Sequence, residues 1–168
     1  MKDIQLSKHL TSSSALTLSH SNKLDDLRLT EHLKLSEFTR SSTAKNLGIP
    51  NVLDLEQVSN LQYLCREILE PLREWMNEPI TISSGFRCPK LNKAVGGVSN
   101  SQHMTGEAAD IHLPSIEKGK KYLEFIIENC RFHQVIWEHD KSGTYWIHFA
   151  IRQNAPNKQQ NIPNLLKA

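Results

Sequence analysis

The stretch Ser99–Asp110 constrains this chain more than any other, because it combines a loop with two side chains that can bind a metal ion. Small and polar residues dominate it, and Gly106 offers a place for the backbone to turn. His103 and Asp110 stand seven positions apart, an interval that neither the helical step of three or four nor a short strand explains. A loop that turns at Gly106 can bring the imidazole and the carboxylate to one point. A simple hydrogen bond within the loop is the alternative explanation for this pair.

A third candidate ligand, His148, lies in the apolar run Thr144–Ile151, which is typical of a buried strand. Two histidines and one carboxylate are a common ligand set of catalytic zinc sites, which keep a fourth position open. We therefore predict a zinc site formed by His103, Asp110 and His148. A histidine that is satisfied within the core is the alternative for His148.

Composition and charge fit one globular domain and exclude several classes of partner. A chain of 168 residues, 38% hydrophobic and 23% charged, is long enough to bury a core. A net charge of +2 gives no argument for nucleic acid or an anionic membrane surface. Three cysteines without a CxxC pair argue against a disulfide framework and a structural zinc knuckle. We expect a monomer with no nucleic-acid partner.

Hydropathy predicts no membrane insertion. The sequence has no apolar run of the ~18 residues that a spanning helix needs. Residues 1–5 begin no apolar segment of the kind found in secretory signals. We therefore expect synthesis in the cytoplasm without a signal peptide, so that any substrate outside the membrane is reached only after release by another agent.

The distribution of polar residues divides the chain into three parts. Residues 1–32 are rich in serine, histidine and lysine, and they predict a weakly structured extension that could pack on the domain or on a protein partner. Residues 33–152 are predicted to form the ordered domain. Residues 153–168 are predicted to be a polar C-terminal tail.

Hydrophobic periodicity predicts both helices and strands. The clearest helix covers residues 54–77, where apolar side chains recur at steps of three and four. Asp54 is its predicted N-cap, and Pro71 should kink or divide it. The other predicted elements are strands at 80–83 and 108–113, a helix at 115–129, a β-hairpin from 135–138 and 145–151, and short helices at 36–39, 42–47 and 89–94.

The predicted hairpin contains a candidate general base. Glu138 and His148 are ten residues apart, and one hairpin register would place them directly opposite, with Cβ atoms roughly 5 Å apart. A carboxylate beside a zinc ligand could take a proton from water that the ion activates. A surface carboxylate at the end of a strand is the alternative.

Three segments carry a recognisable pattern: Ser84-Gly85-Phe86-Arg87, then Ser101-x-His103-x-x-Gly106-x-Ala108-x-Asp110, then Trp146-Ile147-His148. In this order they resemble the S-G-[YF]-R, SxHxxGxAxD and W-[IV]-H motifs of the zinc D-Ala-D-Ala carboxypeptidase-like family, peptidase family M15. The resemblance covers about residues 33–152, and the wider run from Leu35–Thr39 through the hairpin looks like the M15A-type subgroup of phage and prophage proteins.

The resemblance implies an α+β fold of the Hedgehog/DD-peptidase type. A small antiparallel sheet would carry the zinc site, with flanking helices. By the same resemblance, His103, Asp110 and His148 would be the zinc ligands.

The resemblance also implies roles for residues around the ion. Arg87 would hold a substrate carboxylate or stabilise a developing oxyanion through its forked donors. Ser101, Gln102 and Tyr145 are the other candidates for contact with substrate. Several family members have an acidic base three residues before the last histidine, where this chain has Tyr145. The phage-like subgroup tends instead to carry a glutamate at the end of the preceding strand, which matches Glu138.

The function implied is zinc-dependent hydrolysis of peptide bonds in peptidoglycan stem or cross-bridge peptides, as a DD-carboxypeptidase or an endopeptidase. A role in phage or prophage cell-wall lysis would place it at the wall after release, or on the virion. The departure at Tyr145 leaves open a non-catalytic, zinc-containing wall-binding or virion structural module. A metal hydrolase acting on an ordinary peptide is a third possibility.

Overall fold

The fold is a computed structural model that describes residues 27–166 of the chain. In this part of the chain the helices are α1 (Leu35–Thr39), α2 (Ser42–Asn46), α3 (Leu55–Leu64), α4 (Glu70–Met76), α5 (Pro89–Ala94) and α6 (Ile116–Asn129). The strands are β1 (Ile82–Ser84), β2 (Ala108–His112), β3 (Gln134–His139), β4 (Tyr145–Ala150) and β5 (Gln160–Leu166). A π-helical turn, Cys65–Leu69, joins α3 to α4, and a 3-10 turn, Gln102–Thr105, precedes β2.

The strands form one mixed sheet in the order β1-β2-β4-β3-β5. The pairs β1–β2, β2–β4 and β4–β3 are antiparallel, whereas β5 runs parallel to β3. The α+β class is confirmed, but the expectation of a purely antiparallel sheet is wrong. Residues 151–159 lead from the end of β4 past the first residue of β3, so β5 begins at the same end of the sheet as β3.

The C-terminal residues differ from the expected polar tail, because residues 160–166 form β5. The polar composition of 153–161 concealed this strand, since an edge strand needs backbone partners more than apolar side chains. Part of the predicted N-terminal extension also belongs to the domain. Leu29, within that extension, is buried in the core, while residues 1–26 lie outside the described residues.

Glu70 attaches this N-terminal segment to α4. The hydroxyl of Thr30 donates to Oε2 of Glu70 over 2.6 Å, and the ring of His32 contacts Oε1. Burial alone would raise the pKa of Glu70, but the hydrogen bonds from Thr30 and His32 and the charge of His32 lower it below its ordinary value. The contact joins residues 38 to 40 positions apart in sequence.

The long helix predicted at 54–77 is confirmed as a segment and divided as expected. Asp54 accepts a hydrogen bond from the backbone of Gln57, which makes it the N-cap of α3. Just before Pro71, the amide of Glu70 donates to the carbonyl of Cys65, five residues back. Proline cannot donate to the helical ladder, and a π-helical turn accommodates this interruption.

One face of the sheet packs against the helices, and the other carries polar groups. Because side chains alternate along a strand, Ile111 of β2, Trp137 of β3 and Phe149 of β4 all enter the core. Gly119 lets α6 lie close to β3, since a Cβ atom there would come within 2.6 Å of Cη2 of Trp137. In the described part of the chain, no helix has the length and apolar character needed to cross a bilayer.

Candidate metal centre and its cleft

Three side chains meet on the polar face of the sheet. Nδ1 of His148 lies 2.8 Å from Oδ1 of Asp110, and Nε2 of His103 lies 3.2 Å from Nδ1 of His148. The third separation, between Nε2 of His103 and Oδ1 of Asp110, is 3.3 Å. The structure therefore brings together the three residues that the sequence selects as metal ligands.

Sheet register places two of the three residues side by side. Asp110 in β2 is the direct antiparallel partner of His148 in β4, so both side chains project from the same face. His103 reaches the same point from the 3-10 turn, where it is 2% exposed.

Hydrogen bonds and close packing hold the loop that carries His103. Nδ1 of His103 donates to the carbonyl of Gly85 over 2.7 Å. Asn60 of α3 donates to the carbonyl of Thr105 over 2.9 Å, on the same turn. Gly106 ends the turn with φ of +73°, and a Cβ atom there would lie 2.5 Å from the carbonyl oxygen of Gln57. Glycine is required here for both its conformation and its small size.

Electrostatics favour an ionised carboxylate and neutral imidazole at this point. Burial alone would raise the pKa of Asp110, but the charge of His103 and the hydrogen bonds from both histidines hold it well below its usual range. Burial lowers the pKa of His103, and the positive charges of His148 and Arg87 lower it further, although Asp110 opposes them. These are the protonation states in which both side chain types bind metals.

The donor set fits a zinc ion. Zinc bonds of 2.0–2.1 Å in tetrahedral geometry place ligand atoms about 3.3 Å apart, close to the separations found here. His103 has the expected supporting contact, because a metal-binding histidine usually donates its other ring N–H to a backbone carbonyl or carboxylate. In the part of the chain that the structure describes, these are the residues whose donor atoms cluster in this way.

The three residues line a cleft of about 740 Å³. Arg87 lies on its wall, close enough to Asp110 and Glu138 for their charges to oppose the effect of burial, which lowers the pKa of Arg87. Nε of Arg87 is buried and has no hydrogen-bond partner in the described residues. A second cleft of about 750 Å³, with Arg40 and Lys45 on its wall, also reaches Arg87 and Asp110.

The hairpin does not have the register that would place Glu138 directly opposite His148. Glu138 pairs with Trp146, and His148 pairs with Ile136, so the register is two residues away from that one. Glu138 still shares the face of His148, diagonally across the two strands, where long side chains remain within reach. It lines the cleft, is 4% exposed, and accepts a hydrogen bond from Nε1 of Trp146.

The predicted substrate contacts separate into two groups. Ser101 and Gln102 line the cleft, and Nε2 of Gln102 is buried without a partner in the described residues. Tyr145 does not line it. Tyr145 comes three positions before His148, and side chains at an odd interval along a strand project from opposite faces. Tyr145 therefore packs edge-on against Trp137 on the other face, with ring centroids 6.2 Å apart. This placement corrects the expectation that Tyr145 contacts substrate.

Sequence reasoning missed several residues of the cleft. His133, Arg152, Lys158 and Gln160 line it at the end where β3 and β5 begin. The cations that follow β4 were a weak signal, which the expectation of a C-terminal tail hid. Glu107, the other carboxylate within the motif at residues 101–110, accepts from the hydroxyl of Thr105 over 3.0 Å and is outside both clefts.

Comparisons with known proteins agree with this geometry. A family model described as Peptidase M15 matches residues 31–150, which include the three candidate ligands, Arg87 and Glu138. Over 44 residues the chain is 50% identical to a zinc D-Ala-D-Ala carboxypeptidase of Streptomyces albus G. That alignment covers 26% of this chain and 17% of the length of the relative.

Proposed function

The chain belongs to the peptidase M15 family, and we propose that it is a zinc-dependent peptidase whose ligands are His103, Asp110 and His148. The observation that carries this proposal is the convergence of one carboxylate oxygen and two imidazole nitrogens, 2.8 to 3.3 Å apart, in a cleft. When bound, zinc supplies Lewis acidity, which makes water a nucleophile near neutral pH and polarises a carbonyl group.

We assign the general base to Glu138. Its carboxylate takes a proton from the attacking water and then delivers it to the nitrogen of the leaving amine. Trp146 donates to Oε2 of Glu138 and so orients the carboxylate in the cleft. Burial of Glu138 keeps bulk water away from its carboxylate. The nearby positive charge of Arg87 compensates the negative charge of that carboxylate.

Arg87 and Gln102 are the substrate-orienting groups of the proposal. The guanidinium of Arg87 retains a buried, unpartnered Nε–H that can donate to a substrate carboxylate or to an oxyanion. Nε2 of Gln102 can donate to a carbonyl of the peptide backbone. Both groups lie in the cleft that contains the candidate ligands.

The proposed substrates are stem or cross-bridge peptides of peptidoglycan. The relative from Streptomyces albus G is a zinc D-Ala-D-Ala carboxypeptidase, which supports this substrate class. The resemblance of the run from Leu35–Thr39 through the hairpin to phage and prophage members supports a role in cell-wall lysis. The non-catalytic alternative depended on Tyr145, and it loses that support because Tyr145 lies on the opposite face of the sheet.

Mass spectrometry of purified peptidoglycan tests the proposal. The zinc-loaded protein should release fragments cut at one defined peptide bond, and a sample treated with chelator should not. The masses identify the bond and thereby distinguish a carboxypeptidase from an endopeptidase. Intact peptidoglycan of several chemotypes, with zinc bound stoichiometrically, would instead establish a binding module.

A further inference from the structure

We propose that His133, Arg152 and Lys158 form a cationic subsite at one end of the cleft, which binds a carboxylate of the peptide substrate. The inference rests on the proposed function, because it takes the occupant of the cleft to be a peptide. It adds a preference for anionic peptides that the metal centre alone does not impose.

Sheet topology brings the three residues together. His133 immediately precedes β3, Arg152 lies two residues after β4, and Lys158 lies two residues before β5. Because β3 and β5 are parallel and β4 is antiparallel to β3, all three positions fall at the same end of the sheet. The backbone amide of His133 donates to the carbonyl of Ala150 over 2.6 Å, which secures this corner. All three side chains line the same cleft as the candidate ligands.

His133 is a buried polar group with an unused hydrogen-bonding atom. It is 6% exposed, and its Nδ1 has no partner in the described residues. Burial lowers the pKa of His133, and the charges of Arg152 and Lys158 lower it further, while the backbone of Pro156 and the charge of Glu107 oppose them. A neutral ring has one acceptor nitrogen, and with the proton on Nε2 that acceptor is Nδ1, which can accept from a peptide N–H.

Arg152 and Lys158 supply positive charge at this end of the cleft. Neither side chain forms an ion pair with a carboxylate within residues 27–166. The backbone of Arg152 is held by Asn157, whose Oδ1 accepts from the Arg152 amide over 2.8 Å and whose Nδ2 donates to its carbonyl over 3.1 Å. The backbone that carries the guanidinium of Arg152 is therefore held in place. Cations that line a cleft without a paired carboxylate attract an anionic ligand.

Two of the three subsite residues lie outside the part of the chain that the family match covers. That match ends at residue 150, so Arg152 and Lys158 lie beyond it. A peptide N–H for Nδ1 of His133 and a nearby carboxylate for the two cations are features that one acidic or C-terminal residue presents together. The chemistry thus selects a peptide that carries a carboxylate at this end of the cleft.

The test compares three synthetic peptides with the full, zinc-loaded chain. The first is diacetyl-lysyl-D-alanyl-D-alanine with a free C-terminal carboxylate, the second is its C-terminal amide, and the third is an amide in which a D-glutamyl residue provides the carboxylate. Binding is measured by calorimetry, and kcat and KM are measured wherever hydrolysis occurs. The variants are Arg152→Gln combined with Lys158→Gln, His133→Phe, and the matched control Lys141→Gln on the exposed β3–β4 turn.

We expect at least one carboxylate peptide to bind the unaltered protein about tenfold or more tightly than the neutral amide, as for a charge-assisted hydrogen bond. The double variant should abolish this preference by raising Kd and KM for the acid with little change in kcat, and Lys141→Gln should retain it. Whichever acid is preferred identifies a C-terminal or a side-chain carboxylate. His133→Phe should weaken acid and amide alike, because it removes the N–H acceptor.

Failure of the subsite and failure of the proposed function give different results. Hydrolysis with equal or absent preference for the acids, or a preference that survives the double variant, would overturn the subsite and leave the peptidase intact. A carboxylate preference that the double variant abolishes, without hydrolysis of any peptide, would support the subsite and refute the peptidase activity.

Discussion

Nδ1 of His103 donates a hydrogen bond to the backbone carbonyl of Gly85 over 2.7 Å, which leaves Nε2 of the same ring facing the other two candidate ligands. The contact sets the tautomer of His103, since a carbonyl only accepts. A hydrogen bond between residues 18 positions apart in sequence thereby orients the lone pair of Nε2 toward the other two candidate ligands.

Replacement of a candidate ligand should remove the metal. We expect His103→Ala and His148→Ala each to reduce bound zinc from about one ion per chain to nearly none and to abolish peptide hydrolysis, because two ligands hold zinc poorly. Metal analysis after gel filtration measures the stoichiometry. His112→Ala is the matched control, since His112 lies on β2, the strand of Asp110, but is exposed. Zinc retention and activity in either ligand variant would refute the assignment.

Loss of the Glu138 carboxylate should affect turnover and leave the metal in place. Glu138→Gln should keep zinc and the fold but lower kcat by about 10²–10⁴-fold, the usual contribution of a general base. Steady-state kinetics and metal analysis on one preparation check both parts. Glu107→Gln, which changes a carboxylate outside both clefts, should retain most activity. The opposite pattern, an active Glu138→Gln and an inactive Glu107→Gln, would move the base to Glu107.

Gly106→Ala should destabilise the protein more than an alanine at another left-handed glycine. We expect a loss of about 2 kcal/mol or more at Gly106, where strain at positive φ adds to a clash with the carbonyl of Gln57. Gly143 has φ of +83° but open space around it, so Gly143→Ala should cost only about 1 kcal/mol. Urea unfolding gives both values. Equal losses would show that the contact with Gln57 contributes nothing.

Acid should weaken the attachment of the N-terminal segment to α4. The folded state lowers the pKa of Glu70, so the unfolded state binds the proton more readily and the contribution is complete only above the ordinary glutamate pKa. It is lost as pH falls through the lowered folded-state pKa. Glu70→Gln should therefore be less stable than the unaltered protein near pH 7, by an amount that shrinks as pH decreases.

Urea unfolding of both proteins across this pH range measures the change. Glu124→Gln, at an exposed position of α6, provides the control and should follow the unaltered protein at every pH. A constant difference between Glu70→Gln and the unaltered protein would exclude the carboxylate of Glu70 as the source of the effect.

Local signals were sufficient for much of the fold. The N-cap at Asp54, the interruption at Pro71 and the apolar steps of the helix between them depend on residues within a few positions of one another. Burial of Ile111 and Phe149 follows from alternation along a strand. The sequence by itself therefore determined that these segments are helices or strands and which of their side chains are buried.

The residue types of the candidate site were also readable, since His103, Asp110 and His148 stood out by chemistry before any contact was known. Their approach to within 3.3 Å depends on the pairing of β2 with β4 and on packing of the 3-10 turn against α3. No short-range pattern specifies those contacts.

Only the tertiary structure decided the register of the hairpin, the face of Tyr145 and the position of β5. A shift of two residues moved Glu138 from opposite His148 to opposite Trp146, and either register satisfies the same alternation of apolar side chains. β5 formed from a polar segment because the edge of β3 offered backbone partners, and this brought Lys158 to the cleft. Local patterns reflect interactions between neighbours in the chain, whereas register and edge pairing depend on the hydrogen bonds and packing of the whole sheet.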